Sequence, residues 1–419
     1  MPLIPPLPLN HPIFYISAYF FLFMAVYQML IYTNNKKNIP DADFKKGLRR
    51  LPLVSMIIPA YNEAKNILPT IKSLLALDYP KNKYEIIVID DGSTDNTYEK
   101  VKDFLIKRKE SGKGEKNFDS VNYVNIKVFR KENGGKGSAV NYGLRHVKGS
   151  LIATMDADSF VAKNALKKLI PHFDDEKVMA TSAALNIYKP KGFLQKLQWA
   201  EYISGIFLRK LRSLVNALYV TPGPLSIYRK KFFDKHGKFD EHNLTEDTEM
   251  GMRIQHHGYK IYNSIQGSIY TKVPATFDSL FKQRLRWYCG FFDNSIKYKH
   301  LYNPFTRKDN LALLFLPAVL ISVFFAIIIM SALLYKNFLF IDDIFTNLAI
   351  RGFDLSLNLK FNFFKEIFLN LLLNPLTAFI FAGIVSNVLM IILPKMETNE
   401  KRNIVTALLA FFIFYPFFF

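Results

Sequence analysis

The chain has 419 residues, half of them hydrophobic and 15% aromatic, and its 55 Lys and Arg against 35 Asp and Glu leave a net charge of +20. That composition excludes a disordered tail, a collagen-like repeat and a small disulfide scaffold. The length accommodates two or three domains, and the apolar residues concentrate near the two ends, around a charged, periodic middle that reads as soluble.

From the N-terminus, Ile13 to Tyr32 carries no charge. A helix of that length rises about 30 Å, the thickness of a bilayer's hydrocarbon core, which makes it a transmembrane candidate. Nothing basic precedes it and no small-residue cleavage site follows, which argues against a signal peptide. Lys36, Lys37, Lys45, Lys46, Arg49 and Arg50 come next. By the positive-inside rule they and the long middle region face the cytoplasm, with the N-terminus outside.

Between Leu51 and Pro190, short β-branched runs alternate with helical periodicity, the pattern of an α/β domain with a mainly parallel sheet. Strands are expected over Leu53 to Ile58, Glu85 to Ile89, Val124 to Phe129, Leu151 to Met155 and Val178 to Ala183, with helices starting near Ala64, Thr94, Lys136 and Lys163. Open parallel sheets bind ligands outside the carboxyl ends of their strands, and here those ends are acidic. The first strand runs into Tyr61-Asn62-Glu63 and the second into Asp90-Asp91-Gly92-Ser93. Either reads equally as a capped turn or as a carboxylate placed to accept from a base N–H or a ribose hydroxyl. The run Lys107 to Lys116 reads as a solvated loop. Gly134-Gly135-Lys136-Gly137 opens a helix with free amides and an ammonium group that can meet a diphosphate. Its spacing is not that of a P-loop, which argues against an ATPase. The fourth strand ends at Asp156-Ala157-Asp158, two carboxylates able to ligate Mg2+ or Mn2+ shared with substrate phosphates.

Further on, apolar residues at helical spacing (Leu197, Ala200, Ile203, Phe207, Leu211, Leu214) run through Phe193 to Leu218, among Lys196, Arg209, Lys210 and Arg212. This stretch and Phe277 to Ile296 are expected at the membrane interface, with core helices as the alternative. After the loop Thr221-Pro222-Gly223-Pro224 comes Thr245-Glu246-Asp247. There Thr245 suits a helix cap and Asp247 a proton acceptor. His256-His257 lacks zinc-helix spacing and reads as surface. Gln283, Arg286 and Trp287 fall within about one helical turn, so they can project toward one region, the guanidinium suited to a diphosphate and the indole to a sugar ring or a core. The single cysteine, Cys289, can make no intramolecular disulfide and reads as a small buried hydrophobe.

The uncharged runs Leu311 to Tyr335 and Ile367 to Leu393 have spanning length, the latter kinked at Asn374-Pro375. The last, Ile404 to Phe419, is short for a span and suggests a chain that continues; Lys395, Lys401 and Arg402 lie before it. Domains are therefore expected at 1–35 (membrane helix), 36–300 (cytoplasmic domain) and 301–419 (membrane region). The basic residues are scattered through loops and juxtamembrane stretches, which fits anionic membrane lipids and not nucleic acid.

In order along the chain, Tyr61-Asn62-Glu63, Asp90-Asp91-Gly92-Ser93, Gly135-Lys136-Gly137, Asp156-x-Asp158, Thr245-Glu246-Asp247 and Gln283-x-x-Arg286-Trp287 resemble the family 2 glycosyltransferases. The likeness covers roughly residues 50 to 300 and is strongest to the membrane-bound synthases of cellulose, chitin, hyaluronan and poly-N-acetylglucosamine. The resemblance implies a glycosyltransferase-A fold, Rossmann-like, with flanking transmembrane helices, and a nucleotide-sugar donor, most often a uridine diphosphate sugar. It implies that Glu63 and Asp91 hold the uridine with support from Asp90 and Tyr61, and that Asp158, assisted by Asp156, binds Mg2+ or Mn2+ on the diphosphate. Asp247, beside Glu246, would be the general base, while Lys136 meets the diphosphate and Gln283, Arg286 and Trp287 close over it and the acceptor. One base and no enzyme nucleophile imply inversion. The acceptor is expected to be a growing β-glycan or a lipid-linked saccharide.

Overall fold

The computed structural model describes residues 12–41, 51–112 and 124–303, together with parts of 305–397. In chain order the elements are α1 (Pro12–Asn34), β1 (Val54–Ala60), α2 (Ile67–Leu75), β2 (Tyr84–Asp91), α3 (Thr97–Gly112), β3 (Asn125–Lys131), α4 (Gly135–Leu144), β4 (Leu151–Met155) and β5 (Phe160–Val161). They continue with α5 (Ala165–Leu169), β6 (Val178–Ile187), α6 (Gly192–Leu214), β7 (Leu225–Arg229), α7 (Lys230–His236), α8 (Glu246–His256), β8 (Lys260–Thr271) and α9 (Phe277–Lys297). A further apolar helix, α10, runs over Leu311–Ile329.

The strands form one sheet in the order β3-β2-β1-β4-β7-β6-β8-β5. Strands β1 to β4 are mutually parallel. The expected mainly parallel sheet is nevertheless mixed, because β7 runs antiparallel to both β4 and β6, and β5 antiparallel to β8. Strands β1 and β2 are buried along almost their whole length because both faces are covered. Successive residues alternate between two cores: Met56, Ile58, Ile86 and Val88 pack with Ile67, Ile71 and Leu74 of α2, whereas Ile57, Ile87 and Ile89 pack with Ala139 and Val140 of α4. The expected strand and helix starts all fall within three residues of the observed ones, and β6 runs on to Ile187, four residues past its expected end at Ala183. Strands β5, β7 and β8 lay beyond that reading.

A third core joins α1, α6 and α10 through Ile31, Tyr32, Ile206, Phe207, Leu211, Phe315 and Leu316. Helix α6 is therefore largely a core helix, the alternative expected for it: Ala200, Ile203, Phe207 and Leu211 are all buried. Helix α9 differs, exposing Phe277, Phe281, Leu285, Tyr288, Phe292 and Ile296. Cys289 on the same helix is exposed as well, not buried, because it lies on the same outward face as Leu285 and Phe292. The basic run from Lys107 starts inside α3, so its first residues are helical and not loop. His256 and His257 are exposed, as expected.

Among the described residues two helices, α1 and Leu311–Ile329, are long and apolar enough to cross a membrane. Most of the expected span from Ile367 and all of that from Ile404 lie outside the described residues, as do Lys45, Lys46, Arg49, Arg50, Lys401 and Arg402.

Candidate active site

The loops after β1 and β2 are laced together by Asn62, whose left-handed backbone (φ 56°) turns its side chain across the gap. Asn62 Oδ1 accepts from the amides of Thr94 and Asp95, and its own N–H donates to Ser93 Oγ. Beside it Glu63 accepts from Asn66 Nδ2 at 2.7 Å, and Tyr61 stands half exposed.

Asp91 is buried and fully engaged. Its carboxylate accepts from Lys131 Nζ at 2.7 Å and from the amides of Gly134 and Gly135. The amides expected to be free for a diphosphate are thus committed to Asp91, which draws the loop before α4 onto the end of β2. Asp90 is fully buried. Neither of its oxygens has a hydrogen-bond donor among the described residues, although Arg130 Nε forms an ion pair with it at 3.2 Å.

Lys136, on the first turn of α4, is the hub. Its Nζ lies 2.7 Å from Asp156 and 3.1 Å from Glu246. Burial opposes its charge, but Asp156, Glu246 and Asp247 together hold its pKa well above the usual lysine range. Gly223 leaves room for this arrangement, since a Cβ there would sit 2.5 Å from Lys136 Nζ.

Asp247 stands at the start of α8. Thr248 N–H donates to its Oδ1 at 2.7 Å and Gly223 N–H to its Oδ2 at 3.1 Å. Burial first and Glu246 second push its carboxyl up to about 6, with Lys136 pulling the other way. Thr245 occupies the position preceding α8 without capping it through its side chain; its hydroxyl instead accepts from Asn294 of α9 at 3.1 Å. Asp158 is likewise pushed up to about 6, by burial, then Asp156, then Glu63. No ion pair reaches Asp158 among the described residues, and none of their His, Cys, Asp and Glu side chains form a metal-ready group of three or more.

Helix α9 is tied to these loops at several points. Arg286 Nη1 donates to the Leu244 carbonyl at 3.3 Å, and Gly290 lies so close to Thr245 that a Cβ would be 2.3 Å from its hydroxyl oxygen. Gln283 Oε1 is buried without a donor, and Trp287 packs on the main core. Between them Arg284, passed over in the sequence, makes a two-pronged ion pair with Glu201 of α6 at 2.6 Å on each arm and stacks on Trp287. Its signal was spacing: four residues after the buried Leu280, it faces inward while Arg286 faces out.

The structure thus links Lys136, Asp156, Glu246 and Asp247 electrostatically, with Asp156 and Glu63 acting in turn on Asp158, Asp91 shaping the loop beside them and α9 fastened alongside. A model of glycosyl transferase family 2 matches residues 55–237, and one of glycosyl transferase family group 2 matches residues 151–419. Over 415 residues the chain is 27% identical to the probable glycosyltransferase YdaM of Bacillus subtilis (strain 168), covering 96% of this chain and 90% of that protein. It is 31% identical over 261 residues to the poly-β-1,6-N-acetyl-D-glucosamine synthase of Staphylococcus aureus (strain COL), a match spanning 62% of this chain and 58% of that synthase. In fold it is similar to the mannosyltransferase PcManGT from Pyrobaculum calidifontis, solved with GDP-Man and Mn2+, at a TM-score of 0.54 and 19% identity over 93% of this chain and 99% of that one. The mixed sheet is accordingly of glycosyltransferase-A type, and the chain belongs to the family 2 glycosyltransferases.

Proposed function

We propose that this enzyme moves a sugar from a nucleoside diphosphate sugar, a uridine diphosphate sugar in the first instance, onto a growing β-linked polysaccharide at a membrane. The observation that carries the reading is the meeting of carboxylates from the end of β4 and the start of α8 around one ammonium group, Lys136, with Glu63 from the end of β1 acting on Asp158 beside them. Such a concentration of like charge disfavours the fold unless a substrate uses it.

In this reading Glu63, Asp90 and Asp91 hold the nucleoside with support from Tyr61. Asp90 has acceptor capacity for a base N–H, whereas Asp91 acts by fixing the Gly134-Gly135 turn. Asp158 and Asp156 would hold Mg2+ or Mn2+. They fit it: hard oxygen donors, an Asp158 carboxyl raised by burial and its acidic neighbours, and so few protein ligands that diphosphate oxygens and water complete the sphere. A bound cation would neutralise charge developing on the departing diphosphate. Asp247 is the general base. Lys136 opposes the upward push on its carboxyl and so favours the ionised, proton-accepting form, while Gly223 N–H fixes its orientation. With one base and no enzyme nucleophile, the acceptor oxygen attacks opposite the leaving group, and an α-linked donor gives a β-linkage. Gln283, Arg286 and Trp287 close the site over diphosphate and acceptor.

Helices α1 and α10 anchor the enzyme in the membrane, and the apolar stripe of α9 lies on its surface. The arrangement is then 1–35 membrane, 36–300 catalytic and cytoplasmic, and 301–419 membrane, with the +20 net charge facing anionic lipid. Similarity to a poly-β-1,6-N-acetyl-D-glucosamine synthase over little more than half of that protein's length supports a polymeric product. The alternative is addition of one sugar to a lipid or lipid-linked acceptor. Membranes containing the enzyme, given labelled nucleotide sugars with Mg2+ or Mn2+ and followed by product sizing, decide between them. Polymer supports the first reading and a one-sugar adduct the second, and no transfer from any donor overturns both.

A further inference from the structure

Helix α6 carries Arg209 and Arg212 one turn apart, with Arg212 beside the start of α10. Nε and Nη2 of Arg209 and Nε of Arg212 are sealed from solvent, with no hydrogen-bond acceptor among the described residues. The carboxylate whose field reaches Arg209 is Glu201, but both its oxygens are already taken by Arg284. Buried N–H donors cost free energy until something accepts from them, and two guanidinium groups one turn apart on a helix repel each other.

The surroundings are aromatic. The Arg212 guanidinium lies 6.0 Å from the centre of the Tyr219 ring and 5.7 Å from that of Phe315, in the first turn of α10. Tyr219 in turn packs on Phe291 of α9 at 5.8 Å. Cationic donors beside an apolar helix of spanning length match an anionic headgroup whose chains lie along that helix. Guanidinium forks fit phosphate oxygens in pairs.

We propose that Arg209 and Arg212 form a binding site for the phosphate of a membrane lipid at the junction of α6, α9 and α10. The site is separate from the Lys136 cluster and takes none of the residues assigned there. It would hold α6, and through Glu201 and Arg284 also α9, at a set height relative to the bilayer.

The test uses the full chain purified in a neutral detergent. Binding of phosphatidic acid, phosphatidylglycerol, phosphatidylcholine and inorganic phosphate is measured by native mass spectrometry and thermal melting, without any sugar donor, so the result stands apart from the transferase reading. The anionic lipids should be retained and raise the melting temperature. In R209Q/R212Q their affinity should fall by at least about tenfold, the loss expected for one charge-assisted hydrogen bond. K196Q, at an exposed position of the same helix, should bind like the wild type. R209K/R212K keeps the charge, guards against a variant that fails to fold, and should bind more weakly than the wild type because it lacks the forks. Equal lipid affinity in wild type and a cooperatively melting R209Q/R212Q overturns the site. Inorganic phosphate binding as tightly as the lipids overturns the lipid assignment.

Discussion

Asp247→Asn separates chemistry from stability in one substitution. In the wild type, burial and Glu246 hold the Asp247 carboxyl at about 6 against 3.8 for the free side chain. At 1.36 kcal/mol per unit, a gap of about two units is a penalty of about 3 kcal/mol on the folded state when the carboxylate is ionised. Because the folded pKa is the higher, the fold holds the proton more tightly than the unfolded chain. Stability therefore falls as pH rises from about 4 through about 6 and stays lowered above that. Asparagine carries no charge and escapes this penalty. It loses one of two accepted hydrogen bonds, from Thr248 or Gly223, at a cost of about 1 to 3 kcal/mol. At about pH 7.5 the variant should then be as stable as the wild type or up to about 2 kcal/mol more stable, with the difference shifting toward the wild type below about pH 4. Transfer should fall by about 10² to 10⁴-fold, with donor binding kept. The assay pairs melting curves across pH with transfer rates on the same preparation. Retained turnover would refute the base assignment. A variant several degrees less stable near neutrality would refute the electrostatic reasoning.

Asp158→Ala should abolish the part of nucleoside diphosphate binding that depends on Mn2+, as read by titration calorimetry with and without the metal; an unchanged metal effect would move the cation elsewhere. Transfer by the wild type should rise with pH through about 6 as Asp247 ionises, and a rate flat across that range would count against it. Gly290→Ala drives a methyl group into Thr245. It should shift α9 and lower kcat by about 10²-fold while leaving donor affinity nearly intact. Glu201→Gln strands the buried Arg284 guanidinium and should cost about 3 kcal/mol in melting experiments, most of which Glu201→Gln/Arg284→Met should recover.

Much of the candidate site could be read in the chain because its residues follow strand ends. Asp90, Asp91, Asp156 and Asp158 are marked by the apolar runs before them, and periodicity locates those runs. What local pattern cannot show is which groups neutralise which. Lys136 looked ready for a phosphate; folding pairs it with Asp156 and Glu246, residues 20 and 110 positions away. The Gly134 and Gly135 amides looked free and are held by Asp91. Arg284 sat inside the Gln283-to-Trp287 motif without an assigned role, because its partner Glu201 belongs to a different helix.

By itself the sequence determined the apolar ends, the acidic strand termini, the first five major strands and the order of motifs that marks the family, all properties of short windows governed by side-chain period and burial. Only the tertiary structure decided that β7 runs against its neighbours, that α6 belongs to the core while α9 shows its apolar face, and that one lysine stands among three carboxylates. Those outcomes depend on contacts between residues far apart in the chain, and the free energy of a pair of charges is set by the separation and burial that folding imposes, not by their places along the backbone.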